Sequence, residues 1–226
     1  ARLKNIPPET VSLDENARLR GLEQELSTRI IGQPGAVGAV ARALIRSRAG
    51  IRETARPLAS FIFAGPSGVG KTALARAVAE CYFTDATALH RMDMSEFSEA
   101  HTVSKLVGAP AGYVGYREES RLTDALIKRP HAVVLFDEIE KAHADVQHLL
   151  LQILEDGVLT DASGRLVSFK NAVIVLTTNV GAEESLRGGI GFTSDSAALT
   201  RAFGITREAL KDRFRPELLN RLDEIC

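Results

Sequence analysis

Continuous apolar stretches alternate along this chain with stretches whose apolar residues recur every three or four positions. The continuous stretches are short and end in Gly, Asp or Asn, which is typical of buried strands in a parallel sheet. They lie at about residues 59–65, 132–137 and 172–179, and a further strand is predicted near 88–92. A further segment at 159–169 carries turn residues between two short apolar runs, and it predicts a hairpin.

The periodic stretches predict helices between these strands. The predicted helices lie at about 12–30, 34–50, 71–83, from about Ser95, 119–128 and 145–157, and residues 180–222 become helical after several glycines. Ser12 and Glu15 have capping-box spacing at the start of the first helix, and Gly157 closes the 145–157 helix. Strands that alternate with helices predict an α/β fold, with helices on both faces of a parallel sheet.

Composition excludes several classes of protein. Of the 226 residues 45 % are hydrophobic and the net charge is -1, so no overall positive field favours nucleic acid or an anionic membrane. Cys81 and Cys226 are far apart in sequence, which disfavours a disulfide framework or a zinc site and favours a reducing compartment. No apolar run approaches the ~20 residues that span a bilayer, and no signal peptide opens the chain. Because the chain lacks an initiating methionine and ends in "LDEIC" without a turn signal, we expect it to be a segment of a longer protein.

The segment "GPSGVGKT", Gly65 to Thr72, fits the phosphate-loop pattern G-x-x-x-x-G-K-[ST]. It stands between a predicted strand and a predicted helix, where backbone N–H groups can surround phosphate oxygens at a helix N-terminus. Lys71 would neutralise the β- and γ-phosphates, and Thr72 would offer its hydroxyl to Mg²⁺. The alternative is a chance glycine turn. The predicted nucleotide-binding residues of this loop are Pro66, Ser67, Gly68, Val69, Gly70, Lys71 and Thr72.

The segment "VVLFDE", 133–138, places two carboxylates at the carboxyl end of a predicted strand, where ligands bind in open α/β sheets. Asp137 can hold Mg²⁺ through water, and Glu138 can act as the general base that polarises a water toward the γ-phosphate. The alternative is a pair that caps a helix. Asn179 ends the next buried strand and can orient the same water, although Asn is also a common turn residue.

These motifs in this order resemble the AAA+ ATPases. The similarity is sharpest over "GAPAGYVGYREESRLTDALIKRPHAVVLFDEIEKAH", 108–143, which looks like the second ATPase module of the Clp unfoldases. It implies a P-loop NTPase three-layer sandwich with a central five-stranded, mainly parallel sheet. We expect a linker and helix at 1–28 and the large α/β subdomain at 29–226. A complete module would continue into a small helical lid, and the relatives carry an amino-terminal domain and a first ATPase module as well.

The resemblance also implies the roles of single residues. Ile30 and Ile31 would lie against the adenine, and Asn179 would be the sensor that reads the γ-phosphate. Arg221, in "LNR", would be the arginine finger that points into the site of the neighbouring subunit of a hexameric ring. The alternative is a surface arginine paired with a neighbouring acidic residue, Asp223 or Glu224.

Two loops are implied to contact other proteins. The segment "GYVG" matches the pore loop of the family and comprises Gly112, Tyr113, Val114 and Gly115. Tyr113 would grip translocating polypeptide, since an aromatic ring gives a large, sequence-tolerant contact, unless it packs into its own domain. The hairpin tip at 162–165 resembles a second pore loop.

A tripeptide within "GGIGF" distinguishes two groups of Clp proteins, those that work with a peptidase and those that do not. Ile190, Gly191 and Phe192 fit the [ILV]-G-[FL] pattern of Clp proteins that feed the ClpP peptidase, and proteins devoted to disaggregation lack it. Two apolar side chains on a polar loop suit insertion into partner pockets, although the loop can instead anchor itself to its own core.

The resemblance implies an unfoldase subunit of the ClpC/ClpA kind that uses ATP and Mg²⁺ and delivers unfolded or tagged proteins to ClpP. The bacterial cytosol and the plastid stroma both fit. A ClpB-like disaggregase is the alternative. A nucleic-acid ATPase would share the phosphate loop, but the near-neutral charge and "GYVG" argue against that class. The presence of Glu138 argues against a regulatory module that binds nucleotide without hydrolysing it.

Overall fold

The computed structural model describes residues 8–48, 55–108, 120–182 and 196–226, and the side chains of 8–18 and 196–202 are left out. Its centre is a five-stranded sheet in the order β2-β3-β6-β1-β7, and every pair of neighbouring strands is parallel. The strands are β1 Ala59–Ala64, β2 Leu89–Asp93, β3 Val133–Asp137, β6 Val173–Thr178 and β7 Glu224–Ile225. The predicted α/β class and five-stranded sheet are confirmed.

Helices connect and cover these strands. They are α1 Pro8–Arg29, α2 Pro34–Arg48, α3 Lys71–Tyr82, α4 Ala100–Val107, α5 Thr123–Lys128, α6 Ala144–Asp156, α7 Ser196–Arg213 and α8 Pro216–Arg221. The predicted hairpin is present as β4 Val158–Thr160 and β5 Leu166–Ser168, which pair antiparallel.

Each face of the sheet has its own core. On one face, Phe61 and Val133 pack with buried residues of α1, α2 and α3. On the other face, Ile62 and Val134 pack with buried residues of α4, α5 and α6. Because successive strand residues point to opposite faces and both faces are covered, the central strands β1, β3 and β6 are mostly apolar, whereas the edge strand β2 carries His90 and Arg91.

The predicted helix starts at Ser12, about Ser95 and about 119 are wrong. Helix α1 begins at Pro8 rather than Ser12, since the fixed φ of proline and its missing N–H suit the first helical turn. The chain from Met94 to Phe97 is a 3₁₀ turn, and α4 follows only at Ala100.

The 3₁₀ turn forms because the Asp93 carboxylate accepts a hydrogen bond from the Ser95 N–H at 3.0 Å. Helix α5 begins at Thr123 rather than near 119, after a turn in which the Asp124 carboxylate accepts the Ser120 N–H at 2.8 Å. In both places a local carboxylate captures backbone donors that would otherwise begin a longer helix.

Strand β7 has no counterpart among the predicted strands. Its two residues pair with Phe61 and Ile62 of β1, far away in sequence. A two-residue strand carries no readable periodicity, so only the pairing reveals it.

Candidate functional site

A cavity of ≈ 360 Å³ opens at the carboxyl ends of β1, β3 and β6. Its walls are formed by Ser67, Gly68, Gly70, Lys71, Thr72, Ala73, Arg91, Asp137, Glu138, Thr177 and Asn179. The structure therefore brings together the three sequence segments singled out above, although Pro66 and Val69 do not line this cavity. Arg91 and Thr177 line it as well, and no sequence motif had singled them out.

The phosphate-loop segment leads directly into α3. Gly70 precedes the first helical residue with φ 100°, a left-handed conformation that favours glycine, and no side chain caps the helix start. The first N–H groups of an α-helix have no partner within the helix, and an uncapped start leaves them available to an anion. This local geometry fits a phosphate group.

Lys71 projects from the first turn of α3 into the cavity. Its Nζ donates to the carbonyl oxygen of Pro66 at 2.9 Å, to that of Gly65 at 2.5 Å and to Asn179 Oδ1 at 2.8 Å. Among the ion pairs of the described residues none includes Lys71, so its ammonium contacts only neutral oxygens. Burial lowers the pKa of Lys71, and the carboxylates of Glu140, Asp137 and Glu138 oppose that shift.

Asp137 is held on both of its carboxylate oxygens. Arg91 donates to Oδ2 through Nε at 2.8 Å and through Nη2 at 2.7 Å, and the Thr177 hydroxyl donates to Oδ1. The Asp137 side chain is only 9 % exposed, whereas that of Arg91 is 55 % exposed. A buried carboxylate is thus balanced by a solvent-facing arginine.

Glu138 follows Asp137 in a strained backbone conformation. Its φ of 58° lies in the left-handed region, which is uncommon for a residue other than glycine. The Glu138 N–H donates to Thr177 Oγ1 at 3.0 Å, so a single hydroxyl contacts both acidic residues. The Glu138 carboxylate pairs with Lys141 Nζ at 2.7 Å and accepts from Asn179 Nδ2 at 3.3 Å.

The Asn179 side chain contacts both the Lys71 ammonium and the Glu138 carboxylate. Its side-chain oxygen accepts from Lys71 while its amide nitrogen donates to Glu138. The Asn179 backbone N–H donates to Glu140 Oε1 at 3.0 Å, which holds the residue beyond the end of β6. The amide is therefore positioned between the phosphate loop and Glu138.

The sequence profile of one family matches residues 56–225, and that family is described as AAA domain (Cdc48 subfamily). The chain belongs to the AAA domain family. Members of this family are ATPases that bind nucleotides, which agrees with the cavity at the start of α3.

Comparison with individual proteins shows that the chain is similar to Clp proteins. The chain is 54 % identical to the chloroplastic chaperone protein ClpC2 of Arabidopsis thaliana over 97 % of its own length and 24 % of that protein. It is 55 % identical, over 97 % of its length and 24 % of the relative, to a chloroplastic tomato (Solanum lycopersicum) protein named ATP-dependent Clp protease ATP-binding subunit ClpA homolog CD4B. The predicted resemblance to the Clp family is confirmed. The chain spans about a quarter of the length of these curated relatives.

An apolar hollow of the AAA domain adjoins the phosphate loop, since Gly70 and Lys71 line both spaces. Its other lining residues are Ile30, Gln33, Ala36, Phe63, Ala64, Val69, Leu74 and Cys226. Of the two isoleucines predicted to contact adenine, Ile30 lies in this hollow. Ile31 is 90 % exposed and does not line it.

Arg221 of the AAA domain does not line the cavity. Its guanidinium pairs with Glu155 Oε1 of α6 at 2.8 Å, and not with the acidic neighbours considered from the sequence. Asp223 instead accepts from the N–H of Ser60 at 2.7 Å, and Glu224 pairs with Arg46 at 2.8 Å. Ser60 lies near the amino end of β1, whereas the phosphate loop follows the carboxyl end of that strand. The segment that contains Arg221 and Asp223 therefore lies at the edge of the sheet opposite the phosphate loop.

The hairpin tip is held by one buried carboxylate. Asp161 accepts from the Ser163 N–H at 2.9 Å and hydroxyl at 2.6 Å, and from the Arg165 N–H at 2.8 Å and Nε at 2.6 Å. Burial acts to raise the pKa of Asp161, but these hydrogen bonds lower it to about 2. Arg165 also pairs with Asp124 of α5 at 3.1 Å, which ties the tip to the domain.

Two predicted segments fall outside the described residues, namely Gly112–Gly115 and Ile190–Phe192. Within the described part of the chain, no helix has the length and apolar character needed to cross a membrane. Nor do the described side chains include a group of three or more His, Cys, Asp or Glu residues that could hold a metal ion.

Proposed function

We propose that this AAA domain binds and hydrolyses ATP with Mg²⁺, and that the longer protein uses the reaction to unfold other proteins. One observation carries the proposal: Lys71, Glu138 and Asn179 meet in a single cavity at the uncapped start of α3. Lys71, which contacts neutral oxygens among the described residues, lies on one side of this cavity, and the carboxylate of Glu138 lies on the other.

The triphosphate would bind along the phosphate loop. Within the described part of the chain Lys71 contacts neutral oxygens and no carboxylate, so its charge is available to an anion. The N–H groups at the start of α3 add donors and a favourable dipole. The apolar hollow beside Gly70 would receive the base, with Ile30 in its wall.

Thr72 and Asp137 would hold Mg²⁺, and the bound metal would neutralise phosphate charge. Both residues line the cavity. Mg²⁺ is commonly bound by one or two carboxylates together with substrate phosphates and water, so the lack of a larger acidic cluster among the described residues agrees with this donor set.

Glu138 would accept the proton of the water that attacks the γ-phosphorus, while the bond to the β-phosphate oxygen breaks. Its carboxylate also contacts Lys141, and this partly exposed ion pair contributes little stability, so it can open when the water binds. Asn179 already donates to the same carboxylate, so it can orient the water between Glu138 and the phosphate.

Arg221 would act on the site of a neighbouring subunit in a ring. Its side chain is 46 % exposed, and its segment begins at the edge of the sheet opposite its own cavity. A residue placed there cannot serve its own nucleotide without a large movement, so a head-to-tail assembly gives it a role.

In the longer protein, Tyr113 would grip polypeptide in the pore and Ile190–Phe192 would dock on a ClpP-type peptidase. The tomato relative is named as an ATP-binding subunit of a Clp protease, which supports peptidase delivery over disaggregation. The chloroplastic relatives support the plastid stroma as a location, and the bacterial cytosol is the other proposed compartment.

Substitution Glu138→Gln in the full-length protein tests the proposal. We expect the variant to bind ATP and to lose at least about a hundredfold in hydrolysis rate, because general-base catalysis contributes roughly 10²–10⁴-fold. ATP-dependent unfolding of a fluorescent substrate protein should disappear with it. Hydrolysis at the wild-type rate would exclude Glu138 as the base.

Glu208→Gln is the matched control. Glu208 pairs with Lys211 at 2.7 Å, with the same spacing of three residues and the same distance as the pair of Glu138 with Lys141. It lies outside the cavity, so this variant should keep both ATP hydrolysis and unfolding.

A further inference from the structure

Arg91 occupies the carboxylate that the proposed function assigns to Mg²⁺. We propose that Arg91 is a built-in counter-ion that neutralises Asp137 in the metal-free site and leaves it when the site takes up the metal. The inference rests on the proposed function, and it adds a residue that sets how tightly the site binds a divalent cation.

Arg91 reaches Asp137 diagonally across two strands. It lies in β2, the edge strand, directly opposite Leu135 of β3, and Asp137 follows two residues later on the same face. The long side chain extends toward the carboxyl edge of the sheet, where its guanidinium forms part of the cavity wall. Arg91 therefore contacts Asp137 at the edge of the sheet where the cavity opens.

The hydrogen bonds of Asp137 leave little capacity for a further partner. A carboxylate offers about four lone-pair sites. Arg91 directs two N–H groups at Oδ2, and the Thr177 hydroxyl takes one site on Oδ1. About one site remains, on Oδ1, so a metal ion whose water shell donates more than one hydrogen bond to this carboxylate competes with Arg91 for Oδ2.

Burial explains why a counter-ion is present. An uncompensated charge in a buried position is unfavourable, and the Asp137 side chain is only 9 % exposed. The two nearby lysines are engaged elsewhere, Lys71 with neutral oxygens and Lys141 with Glu138. Arg91 is thus the cation that contacts Asp137 in the described part of the chain.

Arg91 can also leave at low cost. Its side chain is 55 % exposed, so the guanidinium can be hydrated after it moves away. A pair with one buried and one exposed member can therefore exchange the exposed cation for a metal. A fixed structural pair, in contrast, would keep Arg91 in place in both states.

Substitution Arg91→Gln in the full-length protein tests this exchange, with Mn²⁺ as the probe. Binding of Mn²⁺ is followed by electron paramagnetic resonance in the presence of a saturating non-hydrolysable ATP analogue. We expect the Kd for Mn²⁺ to fall at least about tenfold, because the competitor is removed. The metal-free variant should also unfold at a lower denaturant concentration than the wild type.

Arg129→Gln is the control for net charge. Arg129 pairs with Asp85 at 2.8 Å and does not line the cavity, so its removal should leave the Kd for Mn²⁺ unchanged. Should Arg91→Gln fail to fold, Arg91→Lys replaces it. A lysine keeps the charge but not the two-donor fork, and it should shift the Kd in the same direction by a smaller factor.

An unchanged or higher Kd for Mn²⁺ in the folded Arg91 variant would overturn the inference. Binding of the analogue by the wild-type protein is measured first. If the wild type binds no nucleotide, both this inference and the proposed function fail. If nucleotide binds and the Kd for Mn²⁺ does not fall in the variant, only the role of Arg91 is rejected.

Discussion

Replacing Thr177 with valine should damage stability and activity together. Thr177 is buried in β6, and its hydroxyl donates to Asp137 Oδ1 while it accepts the Glu138 N–H at 3.0 Å. Valine keeps the shape of the side chain but removes the hydroxyl. Both acidic residues of the site therefore lose one partner.

The magnitude follows from the two hydrogen bonds. A hydrogen bond to a charged group contributes about 1.5–3 kcal/mol, and one between neutral groups about 0.5–1.5 kcal/mol. We therefore expect the free energy of unfolding to fall by about 2–4 kcal/mol. Glu138 is held in a left-handed conformation that costs about 1–2 kcal/mol, so the loss of its N–H partner should also let it move.

The assay combines denaturant unfolding, followed by far-UV circular dichroism, with steady-state ATP hydrolysis. Hydrolysis should fall by about one to two orders of magnitude, because a small displacement of a catalytic group has a large effect on rate. Thr177→Ser is the matched variant, since it keeps the hydroxyl and loses one methyl group, at about 1 kcal/mol. If valine proves no more harmful than serine, the hydroxyl does not hold the two acids and the reasoning is wrong.

Two further predictions concern stability. Gly157→Ala should destabilise the chain by well over 2 kcal/mol, because Gly157 has φ 62° and an added Cβ would lie 1.8 Å from the carbonyl oxygen of Ala55. Gly164→Ala, with φ 82° and no atom within 4 Å of an added Cβ, should lose only about 1–2 kcal/mol, and equal losses in denaturant titrations would contradict the steric argument. The pKa of Asp161 is about 2 in the folded chain, below its ordinary value of 3.8, so its ionised form adds stability that is complete above about pH 4. That stability should disappear as the pH falls from about 4 to 2. Asp161→Asn should flatten this part of the pH profile, and an unchanged profile would exclude Asp161 as its source.

Local patterns in the sequence determined the main elements and much of the candidate site. Lys71, Asp137, Glu138 and Asn179 each follow or end an apolar stretch, and parallel strands bring such ends to one edge of a sheet. Periodicity therefore predicted both the sheet and a meeting place for these residues. The predicted helix starts at Ser12 and near 119 were wrong, because a proline and a local turn decide the observed starts at Pro8 and Thr123 and carry no periodic signal.

Only the tertiary structure decided the partners of these residues. Arg91 contacts Asp137 because β2 pairs in register with β3, and Thr177 joins Asp137 to Glu138 because β6 lies on the other side of β3. Strand β7 and the pair of Arg221 with Glu155 likewise join segments that are far apart in sequence. Strand order and register arise from packing over the whole chain, so no single segment encodes them.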